Sequence, residues 1–199
     1  TRDETDEAIA AFKAALLIKP TLAEAPLSIG RLYEEAGNTY LAMSEYMEAI
    51  QLNQDLTEAH LRLGNIFVIQ GLNGEAIKKY RDALQIDSGL SVAHFKLGKL
   101  YEKEKDQYRA VMEYGEAVQL DPTMVDAYIR LGRILFTQEL YDEAIQDYQR
   151  AIKVKPDLIE GHLLLGDAFS IKGMYEEAIA SYREALKINP ELDEAYLNM

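Results

Sequence analysis

The chain of 199 residues has no cysteine and no tryptophan, only five prolines, and 21 basic residues against 34 acidic ones. Without cysteine there is no disulfide framework, no thiolate nucleophile and no zinc–thiolate centre, although this assigns no compartment. No apolar run reaches the roughly 18 residues that a membrane-spanning helix needs. A net charge of −13 argues against nucleic-acid binding, because phosphate contacts require a basic face. With 48% hydrophobic residues the chain is too apolar to be intrinsically disordered. What remains is a folded, acidic chain.

Its organisation is a repeat. Gly30, Gly64, Gly98, Gly132 and Gly166 follow one another at intervals of 34 residues. Two alanine ladders share the period, one from Ala8 to Ala178 and one from Ala15 to Ala185. Between them runs an aromatic ladder: Phe12, Tyr46, Tyr80, Tyr114, Tyr148 and Tyr182. Pro122, Pro156 and Pro190 keep the same register, and no insertion breaks it.

Each unit reads as two helices. From Asp126 to Gln138, the residues Ala127, Tyr128, Leu131, Ile134 and Leu135 fall on one side at three- and four-residue spacing. Asp142 to Lys155 does the same with Ala144, Ile145, Tyr148, Ala151 and Ile152. Acid stands where the second helix starts (Glu75, Glu143, Glu177) and lysine where it ends (Lys153, Lys187), which suits the helix macrodipole. A proline then stops the helix in most units. Gln54 and Ser88 take that slot in two units and leave those boundaries less sharply marked. Glycine on the first helix and alanine on the second let the two backbones approach, with the aromatic ladder filling the space beside them. One hairpin cannot bury both helices alone, so neighbours must stack.

The residues Ala127-Tyr128, Leu131-Gly132, Ala144, Tyr148, Ala151 and Pro156 make this pattern resemble the tetratricopeptide repeat, over the whole chain. The resemblance implies an all-α solenoid: a right-handed superhelix of antiparallel helical hairpins with a concave groove lined by the first helices. Departures are small. Pro26, His60, His94 and His162 stand where the family often has a bulky aromatic, and Leu135 replaces another.

Counted from Ala23, the complete repeats are 23–56, 57–90, 91–124, 125–158 and 159–192. Residues 1–22 supply a second helix and 193–199 the start of a further repeat, in one continuous array over 1–199. The reading is a piece of a longer array, with Ile9, Phe12 and Leu16 beside an absent partner helix. The chain is five residues short of six periods. Copies stacked head to tail through uncapped ends would nearly continue the register, a heterologous contact that propagates.

No nucleotide loop, zinc motif or nucleophile elbow is present. The three histidines lie one or two periods apart on different hairpins. Helices about 8–10 Å apart cannot give one metal ligands at about 2 Å. Carboxylate pairs such as Asp142-Glu143 point away from each other on a helix and read as solvated helix starts. The expectation is a non-enzyme with no cofactor and no metal.

The surface left to read is the groove. Its fifth position is apolar in every complete unit: Leu27, Leu61, Phe95, Ile129 and Leu163. Beside it lie Arg62, Lys96 and Arg130, then Asn65, Lys99 and Arg133, with Phe136 adding apolar area. With Lys103, six cations fall on three consecutive first helices, against few acids there, a local reversal of sign in an acidic chain. The candidate peptide-binding residues are therefore Leu61, Arg62, Asn65, Phe95, Lys96, Lys99, Ile129, Arg130, Arg133 and Phe136. They suit a partner with acidic and apolar side chains. Family members that hold the terminal carboxylate of heat-shock chaperones use Lys and Asn one turn apart on the first helix. Here Asn65 matches, but Leu61, Phe95, Ile129 and Leu163 stand where the lysine belongs, which argues against such a clamp. The expected function is a protein–protein interaction scaffold. The alternatives are the docking array of a larger enzyme such as a glycosyltransferase, and a self-assembling structural module.

Overall fold

The computed structural model describes residues 2–198, with the side chains at 2, 3 and 194 outside that description. Thr1 and Met199, the outermost residues of the two partial repeats, also lie outside it. Among the described residues there are twelve α-helices and no strand: α1 (Arg2–Ile18), α2 (Glu24–Glu35), α3 (Thr39–Leu52), α4 (Thr57–Ile69), α5 (Asn73–Ile86), α6 (Ser91–Lys103), α7 (Gln107–Leu120), α8 (Val125–Thr137), α9 (Tyr141–Val154), α10 (Ile159–Ile171), α11 (Tyr175–Ile188) and α12 (Asp193–Asn198). This is an α-solenoid of antiparallel helical hairpins. No helix among the described residues is long and apolar enough to cross a membrane. The chain forms two compact units, Thr1–Ala93 and His94–Met199.

In the first unit α1 packs on α2, α2 pairs with α3, and α3 packs on α4, which pairs with α5. Ile9 is buried against this neighbour and Phe12 and Leu16 are half-buried. The large apolar side chains of α1 that meet solvent are Leu17 and Ile18, at 86% and 88% exposure. The sequence expectation of a bare Ile9 is corrected, because that face of α1 is the one that covers α2. In the second unit α7 packs on α8, α8 pairs with α9, α9 packs on α10, and α10 pairs with α11.

The glycine ladder has a more specific reason than close backbones. A Cβ at Gly30, Gly64, Gly98, Gly132 or Gly166 would lie 2.4–2.6 Å from a ring carbon of Tyr46, Tyr80, Tyr114, Tyr148 or Tyr182 respectively. Each hairpin is closed by a tyrosine ring laid on a bare stretch of helix. All five rings are buried to 1% exposure or less. Forcing a methyl into such a packed contact costs about 1–3 kcal/mol.

Hairpin turns repeat as well. Gly37, Gly71, Lys105, Glu139 and Gly173 all adopt positive φ, between 62° and 76°. The next amide reaches back five residues in each, as in Asp106 N–H to Tyr101 O at 2.9 Å and Leu140 N–H to Leu135 O at 3.0 Å. This is the left-handed helix stop that glycine adopts without strain.

Second helices end at the same place with or without proline. The closing residues Asn53, Asp87, Asp121, Lys155 and Asn189 leave the helical region, each still donating its amide to the alanine four residues back. In four of them the side chain accepts the amide two residues on, at 2.9–3.0 Å. These Asx turns end α3 and α5, where Gln54 and Ser88 replace proline.

Candidate interaction face

The first helices of the first unit carry Leu61, Arg62 and Asn65 on α4. Leu61 is half-buried. Arg62 donates Nε–H to Glu58 Oε1 at 2.7 Å and Nη1–H to Glu34 Oε2 at 2.8 Å. Burial works against its charge, but the hydrogen bonds to Glu58 and Glu34 outweigh it and raise its pKa. Glu34 also accepts the Tyr46 hydroxyl at 2.6 Å. Asn65 Oδ1 accepts the Tyr80 hydroxyl at 2.9 Å. Arg62 and Asn65 thus serve the hairpins' own polar contacts.

In the second unit α6 presents Phe95, Lys96 and Lys99. The half-buried Phe95 ring meets Tyr114 with centroids 5.8 Å apart, and Lys99 Nζ lies 5.7 Å from the centroid of Phe95. That separation is within cation–π range. Burial, then the neighbouring Lys99 charge, lower the pKa of Lys96. Neither lysine has a carboxylate partner among the described residues.

On α8, Ile129 departs from the expected exposed row. It is 6% exposed and belongs to the core cluster that includes Tyr148 and Leu165. A side chain in that core has no free face to offer, so Ile129 holds the hairpins together. Leu27 on α2 is likewise buried, at 3%. Arg130 donates Nη1–H to Glu102 Oε2 at 2.9 Å, and the same oxygen accepts the Tyr114 hydroxyl at 2.6 Å. Arg133 pairs with Glu160 at 2.7 Å, both more than half exposed, a contact worth about 0.2–1 kcal/mol. Phe136 is half-buried and meets Tyr141 edge-on at 5.3 Å.

The expectation of many free cations and few acids is therefore corrected in part. Glu34, Glu58, Glu102 and Glu160 neutralise Arg62, Arg130 and Arg133, so the unpaired positive charge is concentrated at Lys96 and Lys99. Sequence reading missed the role of Glu34 and Glu102. Each stands 28 residues before an arginine and 12 before a ladder tyrosine, spacings that a search at 34 does not sample.

The histidines take part in packing. His60 Nε2 and His162 Nε2 donate to Gln54 O and Pro156 O at 3.0 and 2.9 Å, which sets their tautomers. His94 Nδ1 lies 2.7 Å from Glu113 Oε2. No group of three or more His, Asp or Glu residues that could hold a metal occurs among the described residues. A hollow of about 590 Å³ bounded by Val118, Tyr128, Leu131, Leu135, Asp147 and Arg150 lies among α7, α8 and α9 and includes none of the candidate residues.

Known proteins share this arrangement. The TPR repeat pattern matches residues 64–105, 132–173 and 166–199, and the Tetratricopeptide repeat pattern matches 23–56 and 92–124. No curated protein matches the chain. Among solved structures, YrrB, described as a TPR protein with an unusual peptide-binding site, superimposes with a TM-score of 0.80 at 21% identity, covering 94% of this chain and 96% of that one. A MamA protein gives 0.75 at 24% identity over 85% and 92% of the two chains. PilF of Pseudomonas aeruginosa gives 0.75 at 18% identity over 98% and 89%. At these identities the likeness is one of fold. With the repeat pattern matched over more than half of its residues, and a tyrosine laid on a glycine in every complete hairpin, the chain belongs to the tetratricopeptide repeat family.

Proposed function

We propose that the first-helix face of the second unit binds a segment of a partner protein carrying acidic and apolar side chains. The repeats support a protein-interaction scaffold, and the observation that carries the finer reading is the grouping of Phe95, Lys96 and Lys99. Two lysines without carboxylate partners flank a half-exposed aromatic ring in a chain of net charge −13. Position 68, 28 residues before Lys96, holds valine where positions 34 and 102 hold glutamate. The likeness to YrrB, whose description names a peptide-binding site, agrees with this reading. Micromolar affinity needs about 8 kcal/mol, and each exposed ion pair contributes about 0.2–1 kcal/mol. Apolar contact at Phe95 and Phe136 therefore provides most of the affinity, and the lysines set register and association rate.

A random peptide library displayed on phage and selected on the purified chain tests this. The expected sequences combine Asp or Glu with Leu, Phe or Met. The double substitution Lys96→Glu with Lys99→Glu weakens them at least about tenfold, the scale of 1.4 kcal/mol. Selection of sequences without acidic residues, or binding unmoved by the charge reversal, would count against the proposal.

A further inference from the structure

The tyrosine ladder holds one member that differs from the rest. Tyr46, Tyr80, Tyr114 and Tyr182 donate their hydroxyls to Glu34, Asn65, Glu102 and Asp167 at 2.6–2.9 Å. The accepting oxygen comes from one of two places on the first helix, either 12 residues before the tyrosine (Glu34, Glu102) or 15 before it (Asn65, Asp167). For Tyr148 those places are Phe136 and Arg133. Neither can accept a proton. Tyr148 is fully buried, and among the described residues its hydroxyl has no hydrogen-bond partner.

A buried donor left unpaired is costly, and such groups call for an explanation in a folded chain. Burial pushes the pKa of Tyr148 up to about 12 and keeps it a donor at neutral pH; Arg133 is the one nearby charge that favours its ionised form, and the carboxylates of Asp167, Asp147 and Glu160 oppose it. The same unit already contains the completed arrangement, where Glu102 Oε2 receives both the Tyr114 hydroxyl and the Arg130 guanidinium. In the next repeat Phe136 takes the place of Glu102, so among the described residues no carboxylate accepts the Tyr148 hydroxyl, and the nearby arginine, Arg133, pairs with Glu160.

We infer that the partner supplies it: an Asp or Glu side chain of the bound segment docks on α8, accepting hydrogen bonds from the Tyr148 hydroxyl and the Arg133 guanidinium, with Phe136 beside it. The inference rests on the proposed interaction face and names one residue type it reads. Arg133 is free to take part, since its pair with Glu160 is exposed on both sides and exchanges at little cost. The hydroxyl is closed to solvent in the unbound chain, so the side chains over it must move for the carboxylate to reach it.

The experiment uses an acidic peptide from the display selection, the same peptide with Gln for its Glu (or Asn for its Asp), and the same peptide with phosphoserine there. Isothermal titration compares wild type with Tyr148→Phe, which keeps the ring on Gly132, and with Phe136→Glu, which builds an internal acceptor at the place Glu102 occupies. The acidic peptide is expected to lose about tenfold in affinity on Tyr148→Phe, the worth of one charged hydrogen bond. The amide peptide is expected to bind both chains alike. Phe136→Glu should abolish the preference for acid over amide, and thermal melting checks that both variants are folded. Equal affinity of the acidic peptide for wild type and Tyr148→Phe would overturn the inference while leaving the Lys96 and Lys99 face intact. Tighter binding of the phosphoserine form would replace the carboxylate by a phosphate and overturn it too. Failure of the wild type to bind any selected peptide would remove the face itself, and the inference with it.

Discussion

Asp147 on α9 is 4% exposed and pairs with Arg150 at 2.9 Å, yet burial raises its pKa above the ordinary carboxylate value despite that partner. The folded chain therefore holds this proton more tightly than the unfolded one. Its influence is absent below the unfolded pKa of about 4, and a penalty sets in as pH rises through the folded value. Asp147→Asn is expected to raise the melting temperature at pH 7 by about 2 °C, with the gain gone near pH 3. Melts of both chains across this range check it, and a variant that is less stable at neutral pH would contradict it. Nothing in the sequence marks this residue. Its place in the other repeats holds Glu45, Lys79, Glu113 and Ser181, a polar series that reads as a solvated face. Ser181 is buried as well, and at Asp147 burial comes from the apolar side chains around it, such as Val118, Leu131 and Leu135, which no periodicity of charge reveals.

Among the elements, helix pairing and most boundaries were legible because glycine, alanine and aromatic residues recur without a gap. The turns were only partly so. Gly37, Gly71 and Gly173 keep the period, but Lys105 and Glu139 interrupt it, and a glycine ladder with two members missing does not announce itself. Both residues hold φ near 62–63°, a region that costs a side chain about 1–2 kcal/mol. Replacing either by glycine relieves that strain and gives back about 0.4–1 kcal/mol through the freer unfolded chain. Lys105→Gly and Glu139→Gly are thus each expected to stabilise by about 0.5–1 kcal/mol in urea unfolding. No gain, together with no loss for Gly71→Ala, would show that these turns do not limit stability. The interaction face divided in the same way. Its apolar row and cations could be counted along the helices. The acids that neutralise Arg62 and Arg130 come from the preceding hairpin, and Ile129 differs from Phe95 only in what stacks on it.

For the whole molecule, the tyrosine ladder ties stability to alkaline pH. Burial raises the pKa of Tyr46, Tyr80, Tyr114 and Tyr148, and hydrogen bonds to Glu34 and Glu102 raise the first and third further. Their stabilisation is complete below the unfolded value of about 10 and is lost as pH climbs from there toward the folded values. Helix content by circular dichroism is expected to collapse cooperatively above about pH 10–11, with the buried phenolates appearing in the same step. Ionisation of all thirteen tyrosines with helicity unchanged would contradict it. The ladder has a second consequence, for anyone who would lengthen the array by copying 34-residue cassettes. A block taken from 91–124 brings Glu102, the internal acceptor for the Tyr114 hydroxyl, together with Phe95, Lys96 and Lys99 of the proposed face. A block taken from 125–158 brings the buried Tyr148 hydroxyl without an internal acceptor, so under the inference above the choice of cassette decides how many points the new protein offers to acidic side chains.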